Sequence, residues 1–389
     1  MIQVKEALDI ILNEINPLGS EKVPVKDSLG RVLAKDVAAK RPNPAWDNSA
    51  MDGYALRSGD VAGAGPSSPV RLKVIYDLPA GAAPKTPVRS GEAVRIMTGA
   101  PAPEGADSVV MVENTETLQD GFVNILAPAK RGDHIRIKGE DFAPGTTVVS
   151  KGALIRPAEI AMLSTVGESS VKVFKKPKVA VISTGDELVD IGKTPKKGQI
   201  TNSNGYTLTS LVEDAGCAPV NLGIARDNKK SLIAKLKKAI RYDCILTSGG
   251  VSVGDYDFVK EVLKELSCRM RFWKVAIKPG KPLAFGVIGG KPAFGLPGNP
   301  VSSMVSFEEF VRPALHKMMG RKDIFRKTIK ARLTNDIKLK PGRMNFLKAR
   351  LLLNGKPTVT PLEGQGSSII MSMVKANSFI IVGADSTGL

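Results

Sequence analysis

The sequence predicts a multi-domain α/β protein: a central doubly wound α/β domain, with a β-rich inserted module, an N-terminal mixed domain and a small C-terminal β-barrel-like domain. Three observations predict it. The chain has 389 residues, too many for one ordinary core and enough for two to four domains. From 171 to 325, apolar strand-like runs alternate with segments of helical period, the pattern of a parallel sheet covered on both faces. From 46 to 130 the texture is instead short alternating runs broken by proline and glycine. The expected domains are 1–45 with 131–170, then 46–130, 171–325 and 326–389.

Taken in order, Val4, Ala7, Leu8, Ile11, Leu12 and Ile15 recur at helical spacing, and Pro17 and Gly19 close that helix. RLKVIYDL, EAVRIMTGA and DSVVMVENTE supply strands of the inserted module, and PAGAAPKTP and GAPAPEGAD its turns. RPAEIAMLSTVG is a short helix ending at Gly167. Beyond a Lys/Pro linker, KVAVISTG, APVNLGIA, DCILTSGG and FWKVAIK are four strands of the central sheet. Between and after them run NGYTLTSLVEDAG, a basic helix capped by Asp227 or Asn228, YDFVKEVLKEL and the long NPVSSMVSFEEFVRPALHKMM. From Arg326 onward the short β pattern returns. The chain stops soon after FIIVGADSTGL, so the last barrel is expected to be abbreviated.

Composition excludes several functions. Cys217, Cys244 and Cys268 are an odd number at wide spacing with no C-x-x-C pair, which points to a reducing cytoplasm. The acidic, amphipathic start is unlike a signal peptide, and no window reaches the roughly 18 apolar residues of a spanning helix, so no membrane role is expected. His134 and His316 alone cannot build HExxH or three-histidine zinc, and each has an ordinary structural reading. A metal here would be hard and carboxylate-bound, which favours magnesium. The net charge of +18 calls for an anionic partner. Dispersed lysines and only 5% aromatics place nucleic acid well below a small anion.

In open α/β sheets, ligands sit beyond the carboxyl ends of the strands. Those ends read STGDEL, ARDN, TSGGVSVGDYD, KVAIKPGKP and GLPGNPVSS. TSGGVSVGD matches neither G-x-G-x-x-G nor a Walker loop, but its amides, with Ser248 and Ser252, suit phosphate oxygens. GLPGNPVSS, with Asn299, Ser302 and Ser303, is a second such seat. One glycine-rich loop alone is most simply a tight turn. Two of them beside Asp186, Glu187, Asp227, Asp255 and Asp257 call for a cation between carboxylate and phosphate, and magnesium supplies it. Lys274, Lys278 and Lys281 would neutralise remaining negative charge, with Lys274 and Lys278 two strand periods apart on one face. Singly, each lysine would be read as solvated.

STGDEL, TSGGVSVGDYD, FWKVAIKPGKP and GLPGNPVSS together resemble the molybdopterin-binding domain of the molybdopterin molybdotransferase family. NSAMDGYA at 48–55, RIMTGAPAP at 95–103 and IKGEDFAPG at 137–145 are similar to further motifs of that family in the same order, so the likeness spans nearly the whole chain. It implies that adenylylated molybdopterin and molybdate, or tungstate, yield molybdenum cofactor and AMP with magnesium (Mg2+) assisting. It implies catalytic roles for Asp52, Thr98, Asp141, Glu187, Asp227, Asp257, Lys274 and Lys278, with Glu187, Asp227 and Asp257 on the metal. Without it, Asp52 and Thr98 would be read as turn residues beside glycine. Substrate contacts are implied at Ser183, Thr184, Gly185, Ser248, Gly249, Gly250, Ser252, Lys281, Pro297, Asn299, Ser302, Lys348 and Ser367. A homodimer with shared active sites is implied as well. Lys348 departs from an arginine frequent in the family, so a fork-shaped phosphate contact is not expected there. Two other functions stay open: a binding scaffold, since the same fold forms the E domain of gephyrin, and the preceding adenylyl transfer to molybdopterin, whose enzymes resemble the central domain alone.

Overall fold

The computed structural model describes residues 1–250 and 257–389, and the side chains of all of these but 257–260. Two compact units make up the chain. The first comprises Met1–Lys35, Lys151–Ile160 and Ser170–Leu389, and the second Asp36–Ser150 with Ala161–Ser169.

The first unit is built on a six-stranded sheet. Its elements are β1 (Lys178–Thr184), α1 (Ser203–Asp214), β2 (Ala218–Ala225), α2 (Lys229–Ala239), β3 (Cys244–Ser248), α3 (Asp257–Glu265), β4 (Arg269–Lys274), β5 (Pro282–Ile288), β6 (Lys291–Leu296) and α4 (Pro300–Ser306). The strand order is β2-β1-β3-β6-β5-β4. The pairs β2/β1, β1/β3 and β3/β6 are parallel, whereas β5 runs antiparallel to both β6 and β4. The sheet is therefore doubly wound with one reversed strand. Sequence reading found FWKVAIK but not β5 and β6, because a hairpin leaves no helical interval to mark it.

Successive residues of β1 show why this run is apolar throughout. Val179 and Val181 pack with Leu208, Val212, Val301 and Phe310, and Ala180 and Ile182 pack with Leu232, Leu236 and Val262. A strand buried on both faces has no polar alternation. α1 is capped by Asn202, whose Oδ1 accepts from Gly205 N, and α2 by Asn228, whose Oδ1 accepts from Ser231 N. The helix after Asn299 is not uniform: α4 passes into a π turn at Phe307–Val311 before continuing as Arg312–Met318. Pro313 accounts for the irregularity, since its ring would crowd the carbonyl four residues back in a regular helix.

The C-terminal sheet pairs Met344–Leu352 with Thr358–Pro361 and Ser378–Val382, and it also takes in Ile277–Lys278 from the central segment. In the second unit, six strands lie in the order Ser108–Met111, Gly53–Leu56, Glu92–Ile96, Val70–Leu78, Phe122–Ile125, Thr115–Thr117. No helix among the described residues is long and apolar enough to cross a membrane.

Candidate active site

Because β1, β2, β3 and β6 are parallel, the segments after Thr184, Ala225, Ser248 and Leu296 emerge at one edge. The first two are locked to each other. Asp186 N–H donates to Asp227 Oδ2 at 3.2 Å, and Asp227 N–H donates to Asp186 Oδ1 at 3.1 Å. Arg226 Nη1 donates to the carbonyls of Gly185, Asp186 and Leu188 at 3.3, 3.0 and 3.1 Å, drawing the GDEL turn around its guanidinium. Gly185 lies at φ +149°, and a Cβ there would meet the Glu187 carboxylate at 2.4 Å. Glu187 is thus folded back over the turn. Each aspartate spends one oxygen on the other loop and keeps one open.

The two glycine-rich loops are also tied. Asn204 Nδ2 donates to Ser248 Oγ and to Gly298 O, both at 2.7 Å, using its two protons to join them. Its Oδ1 is buried with no partner among the described residues. Gly249 and Gly250 have φ of +88° and +68°, and a Cβ on Gly249 would stand 2.7 Å from Thr184 O. Only glycine lets this loop approach β1 so closely. Thr184 Oγ1 donates to Ser248 O at 3.2 Å. A cavity of about 70 Å³ runs from Thr184, Asp227, Gly249 and Gly250 along the sheet face toward Leu236 and Ala293.

The lysines differ from expectation in placement. β4 ends at Lys274, Val275 N–H donates to Lys281 O, and the chain then bends so that Lys278 pairs with Asn345 of the C-terminal sheet. Lys274 and Lys278 therefore do not share one strand face, because the 275/281 closure interrupts the strand. All three lysines are exposed. The KPGK turn lies against α4, where a Cβ on Gly280 would meet Ser306 Oγ at 2.8 Å.

Asn299 is exposed before α4, while Pro297 and Ser302 are buried. Ser183 is 1% exposed, and its Oγ lies against Gly205 at the start of α1 instead of an open loop. Lys348 does not face solvent: Nζ donates to the carbonyls of Gly364, Gly366 and Ile369. That corrects its expected direct contact, since those acceptors occupy its donors. Ser367 is half-buried, and its carbonyl accepts from Val301 N–H. Ser252, Asp255 and the Asp257 side chain lie outside the described residues.

In the second unit, Asp52 and Thr98 form a pair. Thr98 N–H and Oγ1–H both donate to Asp52 Oδ1 at 2.7 Å. The backbone donation, then the hydroxyl, holds the Asp52 carboxyl below the usual carboxylate range. Asp141 Oδ2 accepts instead from Asn43 Nδ2 at 3.0 Å.

Among the described residues, no group of three or more His, Cys, Asp or Glu side chains stands ready to hold a metal. The open oxygens of Glu187 and Asp227 are the hard donors that magnesium takes. Sequence reading missed Asn204 and Arg226. Their neighbours in TNSNGY and ARDN offered an asparagine cap and an acid, which drew attention away from the residues that bind loop to loop.

Three family models match in succession: the MoeA N-terminal region (domains I and II) over 2–167, the probable molybdopterin binding domain over 180–317, and the MoeA C-terminal region (domain IV) over 330–389. A molybdopterin molybdenumtransferase of Staphylococcus aureus (strain MSSA476) is 38% identical, covering 100% of this chain and 93% of that relative. One of Haemophilus influenzae is 37% identical over 98% of this chain and 94% of its own. The crystal structure of a molybdopterin biosynthesis MoeA protein from Pyrococcus horikosii is similar with a TM-score of 0.82 and 38% identity, covering 100% of this chain and 96% of that one. With matches of this extent, the chain belongs to the molybdopterin molybdenumtransferase family.

Proposed function

We propose that the protein transfers molybdenum from molybdate to molybdopterin presented as its adenylylated form, releasing AMP, with magnesium as cofactor. The observation that carries this reading is the juxtaposition of open carboxylate oxygens on Glu187 and Asp227 with two glycine-rich loops joined by Asn204. Carboxylates beside phosphate seats repel an anionic substrate unless a cation intervenes. Glu187 and Asp227, together with Asp257, would hold magnesium. When bound, it would supply positive charge to the phosphate oxygens.

The chain's own groups then have distinct work. The amides of Gly249 and Gly250 and the hydroxyl of Ser248 hold phosphate oxygens. Ser248 Oγ already accepts from Asn204, so its proton is free to donate. In the step that frees AMP, a water oxygen attacks one phosphorus of the phosphoanhydride, the bridging P–O bond breaks with its electron pair leaving on the other phosphate's oxygen, and the water's proton passes to solvent, giving AMP and the pterin phosphate. Lys278 and Lys274 would offset that charge. Asp52, held as carboxylate by Thr98, is a candidate to orient substrate from a second subunit in a homodimer.

The test offers purified protein two substrate pairs, adenylylated molybdopterin with molybdate, and unmodified molybdopterin with ATP. The reading expects magnesium-dependent AMP from the first pair only. Turnover of the second pair would assign the preceding adenylyl transfer, and tight pterin binding with no turnover would assign a scaffold.

A further inference from the structure

We propose that the buried ammonium of Lys348 is a positioning group that fixes the 364–369 loop of the C-terminal sheet against the GLPGNP loop of the central domain. Lys348 is 1% exposed, and Nζ donates to Gly364 O at 2.7 Å, Gly366 O at 3.0 Å and Ile369 O at 3.4 Å. Its backbone is gripped by the same loop: Lys348 N–H donates to Gln365 Oε1 at 3.0 Å, and Gln365 Nε2 donates to Lys348 O at 2.9 Å. Ser372 Oγ lies 2.9 Å from both the Gly364 and Ile369 carbonyls, a second donor at the same spot.

No carboxylate pairs with this cation among the described residues. Three carbonyl dipoles pointed at one place repel each other, so the loop conformation depends on the ammonium that they surround. Burial lowers the lysine's pKa from its ordinary value, as expected for a cation answered only by dipoles. The loop in turn reaches the site. Ser367 O accepts from Val301 N–H at 3.1 Å, in the first turn of α4 immediately after GLPGN. The strand that carries Lys348 also pairs, through Met344 and Asn345, with Ile277 and Lys278. One strand therefore holds two sides of the site, the lysine turn by its ladder and the glycine-proline loop by a buried side chain.

This inference rests on the proposal that GLPGNP contacts substrate, and its test separates the two. In the full-length protein without substrate, hydrogen exchange is measured for Lys348→Met. The Val301 amide should exchange roughly tenfold faster, while Val181 and Leu246 in the central sheet keep their protection. KM for adenylylated molybdopterin should rise roughly tenfold, with kcat within about twofold. Ser372→Ala, a milder change at the same carbonyls, should move both readouts in the same direction by less, and it serves if Lys348→Met does not fold. Unchanged Val301 exchange in the folded variants overturns the inference, as does faster exchange without a rise in KM. If wild-type protein turns over neither substrate pair, the functional reading fails whatever the exchange shows.

Discussion

The carboxyl edge of the central sheet and the helix behind it treat charge in opposite ways. At the edge, Asp186 and Asp227 each use one oxygen on a backbone amide and keep one open, and Lys274, Lys278 and Lys281 are exposed. On the Arg312–Met318 helix the buried charged and titratable side chains are paired. Arg312 is 2% exposed, donates to both Glu308 oxygens at 2.7 Å and donates to Asp214 at 2.7 Å. His316 Nδ1–H donates to Ile324 O at 3.0 Å, and Nε2 accepts from Arg321 Nη1 at 3.3 Å, which requires a neutral ring. Closed networks hold the fold, and incomplete ones leave groups open, which is what the proposed site requires. Charge as such distinguishes neither.

The largest expected effect breaks the closed side. Among the described residues, Arg312→Met leaves Glu308 with the exposed Arg326 alone, and loss of one member of a buried pair should cost about 4 kcal/mol. Denaturant midpoints check it, and an unchanged midpoint would erase the contrast. Next, Lys278→Ala at the open edge should lower kcat roughly a hundredfold to a thousandfold, equal to about 3 to 4 kcal/mol, with the denaturation midpoint unmoved. Wild-type turnover in this variant would remove the lysine from the mechanism.

His316 sharpens the comparison through pH. Burial, then the neighbouring Arg321, pushes its pKa down to about 4 from 6.5. The unfolded ring therefore binds a proton at higher pH than the folded one. The stability it contributes is complete above pH 6.5 and is lost as pH falls from 6.5 to 4, a total of roughly 3 kcal/mol. The difference in stability between wild type and His316→Gln should shrink over that window, and a difference flat with pH would contradict the assignment. The smallest effect is expected for Asn204→Ala. Losing the tie between the glycine-rich loops should weaken pterin binding by about 1 to 2 kcal/mol, measured by titration.

The two sides were unequally legible in the sequence. The strand-end motifs were visible because glycine, serine and acid cluster within a few residues, and the segments after Thr184, Ala225, Ser248 and Leu296 do emerge at one edge. Asp52 and Thr98, 46 positions apart, do meet in the second unit. Lys348 was misjudged because its position in a strand said nothing of a returning loop with three carbonyls aimed at it. Lys274 and Lys278 were given a common face by period-two spacing, which holds only while a strand continues. Arg312 escaped notice, and His316 drew only an ordinary structural reading, for a related reason: Asp214, Ile324 and Arg321 reach them only after the chain folds back.

Transfer of molybdenum at the open edge is read from the metal content of the pterin product. Protein is supplied with adenylylated molybdopterin, magnesium and equal molybdate and tungstate, and the pterin is isolated and its metal counted against AMP released. One bound metal, molybdenum or tungsten, is expected per AMP, with loss of both products together in Lys278→Ala. AMP release that leaves the pterin free of metal would contradict it.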